Sequence, residues 1–151
     1  MVTVYSIVNG QMMDLEVSLD DVVASGQLGL GCVFESDDGH IYSPVDGKVI
    51  MLFDQLHAIG IEDIDGNQYF IHIGYDLAKN HGEGLVAFVK LHDLVRTHQH
   101  LISLDKSILL KKTSSLHVLF LIAKTERRIS FLHKSKTTSV SSTTEIIRLI
   151  E

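Results

Sequence analysis

Short runs in which apolar side chains alternate with polar ones, or follow one another briefly, recur along the chain: Val2 to Val8, Gly31 to Phe34, Lys48 to Phe53, Ala58 to Ile64, Gln68 to Ile73, Leu101 to Leu104, Leu116 to Ala123, Arg128 to Leu132 and Glu145 to Ile150. They are rich in Ile, Val, Leu, Phe and Tyr, and polar or glycine turns separate the early ones. This pattern predicts an all-β sandwich or barrel. Helical signals are weak; Ser18 to Ala24 and Ser107 to Lys112 are the segments suited to short helical turns.

An internal repeat supports the β reading. Tyr5-Ser6-Ile7-Val8-Asn9-Gly10-Gln11 and Tyr42-Ser43-Pro44-Val45-Asp46-Gly47-Lys48 share the pattern Tyr-Ser-x-Val-(Asn/Asp)-Gly-x. Asn-Gly and Asp-Gly suit tight hairpins because both positions tolerate positive φ. Two strand-turn-strand units of one kind imply a duplicated architecture, short of the three or more copies of a solenoid.

Composition sharpens this picture. The 151 residues fit one domain, 1–151, with no linker-like stretch to divide it. No apolar run approaches a membrane span, and the start lacks a signal peptide's basic residues and apolar stretch, so a soluble, cytoplasmic protein without membrane insertion is expected. The lone Cys32 excludes a disulfide framework and a CxxC zinc site. A net charge of −6 argues against nucleic acid as a partner. Residues 1–84 carry fourteen of the nineteen acidic side chains against Lys48 and Lys79, whereas the rest of the chain is net basic. All eleven glycines lie at or before Gly84 and the one proline is Pro44, so the C-terminal part must turn without the usual turn residues.

The densest chemical signal runs from His57 to Gly74. If Asp65-Gly66 forms a two-residue hairpin turn, Ile59 faces His72, and His57 lies two residues beyond Ile59 on the same face. The two histidines are then diagonal neighbours, roughly 7 to 8 Å apart, on a face shared with Ile59, Ile61 and Phe70. A loop one residue longer or shorter places them on opposite faces. Two imidazoles on an apolar face must satisfy four ring nitrogens, and a mutual hydrogen bond or a bound ligand does so economically. The alternative is a pair of ordinary core or edge histidines.

These residues resemble those of the glucose-class enzyme IIA of the bacterial phosphoenolpyruvate-dependent sugar phosphotransferase system, found free or as a domain of sugar permeases. The resemblance runs through Tyr42-Ser-Pro-Val-Asp-Gly-Lys-Val49, His57-Ala-Ile-Gly-Ile-Glu62, Ile71-His-Ile-Gly74, Asp76 and Gly82-Glu-Gly84, with further match at Val8-Asn-Gly10, Ala24-Ser-Gly26 and Leu28-Gly29 with Gly31. It implies an antiparallel β-sandwich with internal duplication. It further implies a phosphocarrier that takes a phosphoryl group from the histidine-containing phosphocarrier protein and passes it to a cysteine of the IIB domain of a membrane sugar permease. His72 resembles the histidine that carries the group, and His57 the partner that orients it. Asp76 and Asp20 match aspartates that meet a donor arginine; Asp20 reads equally well as a capping carboxylate. Val22, Val23 and Phe70 fall among apolar contact residues, while Gln55 and Gly74 support the pair. No cofactor is implied beyond a transient phosphohistidine, and His57 with His72 would hold zinc only weakly unless a partner adds a ligand.

The departures from the family pattern are specific. Ile7, Asp21, Ser36 and Leu116 stand where proline is usual, His92 and His98 where turns carry glycine, Gln55 for threonine and Val23 for phenylalanine. Several lost turn residues together keep open a second reading, a catalytically idle binding module of the same fold. A distant third is a zinc hydrolase using His98-Gln99-His100, since alternate residues of a strand share a face. His40, His81, His117 and His133 have no informative spacing.

Overall fold

The computed structural model describes residues 1–18, 20–75, 77, 81–133 and 137–151. The strands are β1 (Val2–Tyr5), β2 (Gly10–Asp14), β3 (Leu30–Ser36), β4 (His40–Tyr42), β5 (Gly47–Leu52), β6 (Ala58–Glu62), β7 (Gln68–Ile73), β8 (Leu85–Ala87), β9 (Leu94–Val95), β10 (His100–Leu104), β11 (Val118–Lys124), β12 (Arg128–Phe131), β13 (Thr137–Val140) and β14 (Glu145–Ile150). Two single-turn helices, α1 (Asp21–Ala24) and α2 (Lys106–Leu109), fall within or beside the two segments expected to turn. Among the described residues no helix is long and apolar enough to cross a membrane.

All pairings are antiparallel. One large sheet runs β13-β2-β3-β11-β7-β6-β5-β9, and two small sheets, β1-β14-β12 and β4-β10-β8, complete the sandwich. One core joins them: Val4, Ile147 and Leu149 from the first small sheet and Ile41, Leu101 and Ile102 from the second meet Phe34, Ile59, Ile71 and Phe120 of the large one. Cys32 belongs to that core, and burial holds its thiol protonated.

The duplication is real, but its turns are not tight hairpins. Each repeat carries the chain from a small sheet into the large one, β1 to β2 and β4 to β5, so Asn9-Gly10 and Asp46-Gly47 end crossover loops. The serines act alike, Ser6 Oγ donating to Val8 O at 2.8 Å and Ser43 Oγ to Val45 O at 2.7 Å. The copies also exchange backbone bonds, Tyr5 N to Pro44 O at 3.1 Å and Tyr42 N to Ile7 O at 2.7 Å. Asn9 Oδ1 accepts from Ser142 N at 2.8 Å, as Asp46 Oδ1 accepts from Thr97 N at 2.7 Å. Equivalent positions bond across a local pseudo-twofold axis.

Where the resemblance implies prolines and glycines, the residues of this chain are accommodated at identifiable points. Ser36 is buried and bonded, its hydroxyl to His40 O at 3.2 Å and accepting from Gly39 N at 3.0 Å. His92 and His98 hold φ of 75° and 72°, the left-handed region that glycine occupies freely.

Candidate functional site: a histidine pair beside a cavity

Strand β7 alternates as its sequence requires. Tyr69, Ile71 and Ile73 point into the core, and Gln68, Phe70 and His72 line the opposite, half-buried face. On one side β11 sets Leu119 against His72 and Leu121 against Phe70; on the other, β6 sets Ala58 against His72.

The hairpin register differs from the expected one. Ala58 faces His72 and Ile59 faces Ile71, one residue removed from the register of a two-residue turn. The cause is Asp63, whose Oδ1 accepts from Asp65 N and Asn67 N, both at 3.0 Å, and whose other oxygen takes Asn67 Nδ2 at 2.9 Å. Asp63 N donates to Asn67 O, so the loop holds Ile64, Asp65 and Gly66, with Gly66 at φ 85° and Ile64 fully exposed. The face therefore carries Ala58, Gly60 and Phe70 with His72, whereas Ile59 and Ile61 turn inward.

The histidines nevertheless meet. His57 precedes β6 and follows Leu56, whose φ of 63° breaks the extended path, so its ring is not bound by strand alternation. It retains one ladder bond, Ile73 N to His57 O at 2.7 Å. The His57 and His72 rings stand edge to face, centroids 5.4 Å apart at 87°. Phe53 packs on His57 at 5.2 Å and Phe70 lies 6.1 Å from His72. His57 is 4% exposed and its Nδ1 is buried without a hydrogen-bond partner. Burial holds both rings below the usual 6.5; for His72 the neighbouring His57 adds to this, while Asp20 and a hydrogen bond to the Gly74 backbone oppose it. Both imidazoles are therefore neutral at pH 7, and in a neutral imidazole one ring nitrogen keeps its lone pair.

A cavity of about 230 Å³ opens on His72, lined also by Phe70, Gly74, Asp20, Val23, Leu119 and His117. Asp20 caps α1, its Oδ1 accepting from Val22 N at 2.9 Å and Val23 N at 3.2 Å, so it is a capping carboxylate that also stands at the cavity. Val22 is exposed, but Val23 is buried beneath it, as a residue packed down on the cavity wall rather than presented to solvent. Gly74 has φ 70° and donates its N–H to His117 O at 3.0 Å; a Cβ there would be strained and would lie 2.7 Å from Leu77 Cδ1, forcing that side chain to shift. Gln55 stands in the turn before His57 but does not supply the missing partner of its Nδ1. Asp76 lies outside the described residues.

His117 is a cavity residue that no sequence spacing marks. It lies just before β11, where its carbonyl accepts from Gly74 N, and it lines the same cavity as His72 across a pairing between segments far apart in the chain. The HxH reading fails on its premise: His98 sits in the turn before β10, its Nδ1 2.7 Å from Ser142 O and its ring against Tyr5, while His100 packs on His40. Among the described residues no group of three or more His, Cys, Asp or Glu side chains is gathered to hold a metal ion.

An antiparallel, duplicated β-sandwich with two neutral imidazoles beside a shallow cavity defines a class: small all-β domains that carry a histidine pair on one face. The chain belongs to the family described as phosphoenolpyruvate-dependent sugar phosphotransferase system, EIIA 1, whose model matches residues 2–128. It is similar to the glucose-specific EIIA component of Bacillus anthracis, 30% identical over 147 residues that cover 97% of this chain and 89% of that protein. It is also similar to the glucose-specific EIICBA component of Staphylococcus saprophyticus, 40% identical over 104 residues that cover 69% of this chain and 15% of that protein. The fold matches glucose permease IIA from Mycoplasma capricolum with a TM-score of 0.89 at 23% identity, covering 97% of this chain and 94% of that one. The chain is thus a phosphotransferase component of a sugar phosphotransferase system, with a phosphocarrier's role.

Proposed function

We propose that His72 accepts a phosphoryl group from the phosphohistidine of the histidine-containing phosphocarrier protein and passes it to a cysteine of a permease IIB domain, with His57 as the orienting partner. The observation that carries this reading is the pair itself: two neutral rings 5.4 Å apart, His72 at the mouth of a cavity and His57 buried behind it with an unpartnered Nδ1. In the first step a bond forms from the free His72 nitrogen to phosphorus as the bond to the donor's imidazole breaks. In the second, the His72–phosphorus bond breaks as the IIB thiolate attacks. Such transfer asks mainly for in-line positioning and stabilisation of phosphoryl charge, which suits a rigid face with few reacting groups. The EIICBA and EIIBCA names of relatives that contain a segment like this chain support a permease IIB domain as acceptor.

Exposed Val22, with Phe70 and Asp20 at the cavity, forms the contact surface for the donor; Asp76 is assigned to donor contact by the family resemblance alone. Zinc would find two nitrogens at His57 and His72 and would bind weakly without a partner's carboxylate, and bound zinc would occupy the nitrogen that must attack phosphorus.

The test is incubation with the phosphoenolpyruvate-driven donor proteins, read by mass spectrometry at neutral to alkaline pH. One acid-labile phosphate is expected, absent in His72→Ala. His57→Gln should accept the group but transfer it onward poorly. No phosphate on the wild-type chain would refute the reading and favour an idle docking module of the same fold.

A further inference from the structure

Histidines approach His72 from both neighbouring strands. His57 comes from the β6 side, and His117 from the β11 side. The register sets Leu119 against His72 and Leu121 against Phe70, so alternate side chains of β11 share the face of His72. Burial continues that alternation back past the start of the strand: Val118 and Phe120 are fully buried, whereas Leu119 and His117 are half-buried. His117 is therefore a diagonal neighbour of His72 on one face, a relation of roughly 7–8 Å that two imidazole rings can bridge with a small group between them. Across from His117 stands Gly74, whose N–H donates to His117 O at 3.0 Å and which puts no side chain between the two histidines. The cavity of about 230 Å³ is lined by all three.

The chemistry of the cavity gives that ring a task. A phosphoryl group on His72 brings negative charge against walls that are largely apolar, among them Val23, Leu119 and Leu121. Among the described residues lining the cavity there is no lysine or arginine, and the charged one, Asp20, has the wrong sign. Hydrogen-bond donors must therefore hold the anion, and low polarity around them strengthens each bond they make. An imidazole offers an N–H in either tautomer, and unlike the hydroxyls that share the cavity it can also meet an anion as a cation. The backbone of His117 is fixed on both sides, its N–H donating to Ser115 Oγ at 3.1 Å and its carbonyl accepting from Gly74, while among the described residues its ring nitrogens have no hydrogen-bond partner.

We propose that His117 is a further residue of the transfer reaction: its ring N–H donates to an oxygen of the phosphoryl group carried on His72, holding the group from the β11 side while His57 orients the His72 ring from the β6 side. The proposal rests on the reading of His72 as the phosphoryl acceptor. A donor that gains its partner only when the group arrives stabilises the phosphorylated chain over the free one, and a hydrogen bond to an anion is among the stronger ones. His117 thus shifts the exchange equilibrium with the donor protein toward this chain.

The test is the equilibrium of phosphoryl exchange between the phosphocarrier protein and the full chain, read by mass spectrometry at neutral to alkaline pH. His117→Leu should lower the exchange constant by about tenfold or more, the level of a hydrogen bond to a charged group. His117→Gln, which keeps an N–H donor, should recover most of that loss; a merely structural role would move the melting temperature and leave the constant alone. Ring nitrogen resonances of the wild-type chain provide a readout independent of variant folding: on phosphorylation of His72 those of His117 should shift well beyond those of His133, which is bonded to Glu145 O outside the cavity. With wild type phosphorylated, an unchanged constant in His117→Leu, a glutamine variant no better than leucine, or unmoved His117 resonances would each overturn this proposal alone. A wild-type chain that takes no phosphate would overturn it together with the reading of His72.

Discussion

His92 offers a clean measure of what the chain loses by turning without glycine. Its φ is 75°, it is exposed, and its N–H donates to Val49 O at 2.8 Å, which fixes the turn that leads into β9. A Cβ in the left-handed region costs about 1–2 kcal/mol, whereas glycine costs about 0.5–1 kcal/mol through the freedom it gives the unfolded chain. His92→Gly should therefore stabilise the protein by about 0.5–1 kcal/mol, raising the melting temperature by roughly 1–4 °C for a domain of this size. His92→Ala keeps the Cβ and the strain, and should change stability by less than about 0.5 kcal/mol. His98 provides an internal contrast: with nearly the same φ it also bonds Ser142 O and packs on Tyr5, so His98→Gly should gain less or lose. Urea denaturation and thermal melts followed by circular dichroism suffice. If alanine stabilises as much as glycine at position 92, or glycine does not stabilise at all, backbone strain is not the cause.

Three further outcomes are expected. His57, His72 and His100 all have folded pKa values below 6.5, so the unfolded chain takes up protons first as pH falls through 6.5. Stability should be fully present above that pH and decline below it, and His57→Gln or His72→Gln should flatten the decline in a pH series of urea melts. Asp20→Asn keeps the α1 cap but removes the charge at the cavity, so it should slow transfer from the donor at low salt with little loss of stability. Asp20→Ala should also cost about 1 kcal/mol; a transfer rate insensitive to ionic strength and to both variants would remove Asp20 from the contact surface. Gly74→Ala, with φ 70° and a Cβ 2.7 Å from Leu77, should destabilise by more than about 1 kcal/mol and slow phosphorylation of His72 disproportionately. Equal phosphorylation rates in wild type and variant would show that Gly74 does not position the ring.

What could be read from the sequence followed the strength of local pattern. Gln68 to Ile73 and Glu145 to Ile150 coincide with β7 and β14 because each pairs a clear apolar pattern with flanking breakers. Strands β9, of two residues, and β13, Thr-Thr-Ser-Val, were not legible because one is too short and the other too polar to carry a period. The hairpin slipped by one because the Asp63 carboxylate gathers three donors of the loop, Asp65 N, Asn67 N and Asn67 Nδ2, and the side-chain signal for this, an apolar Ile64 stranded at the tip, runs against ordinary patterning. Juxtapositions made by long-range register were beyond reach: His117 and His72 reach one cavity through the β11–β7 pairing, and His40 meets His100 on a bulged register.

The side chains that tie each repeat to the C-terminal part of the chain bear on how the molecule comes apart. Asn9 closes a turn at Ser142, and Asp46 closes one at Thr97, so the glycine-poor half has its corners held from the glycine-rich half. Corners supported from a distance let the half without glycine or proline keep its turns. The same arrangement forbids independent halves: neither can keep its corners once the other melts, so amide protection in both should collapse together as a single cooperative unit.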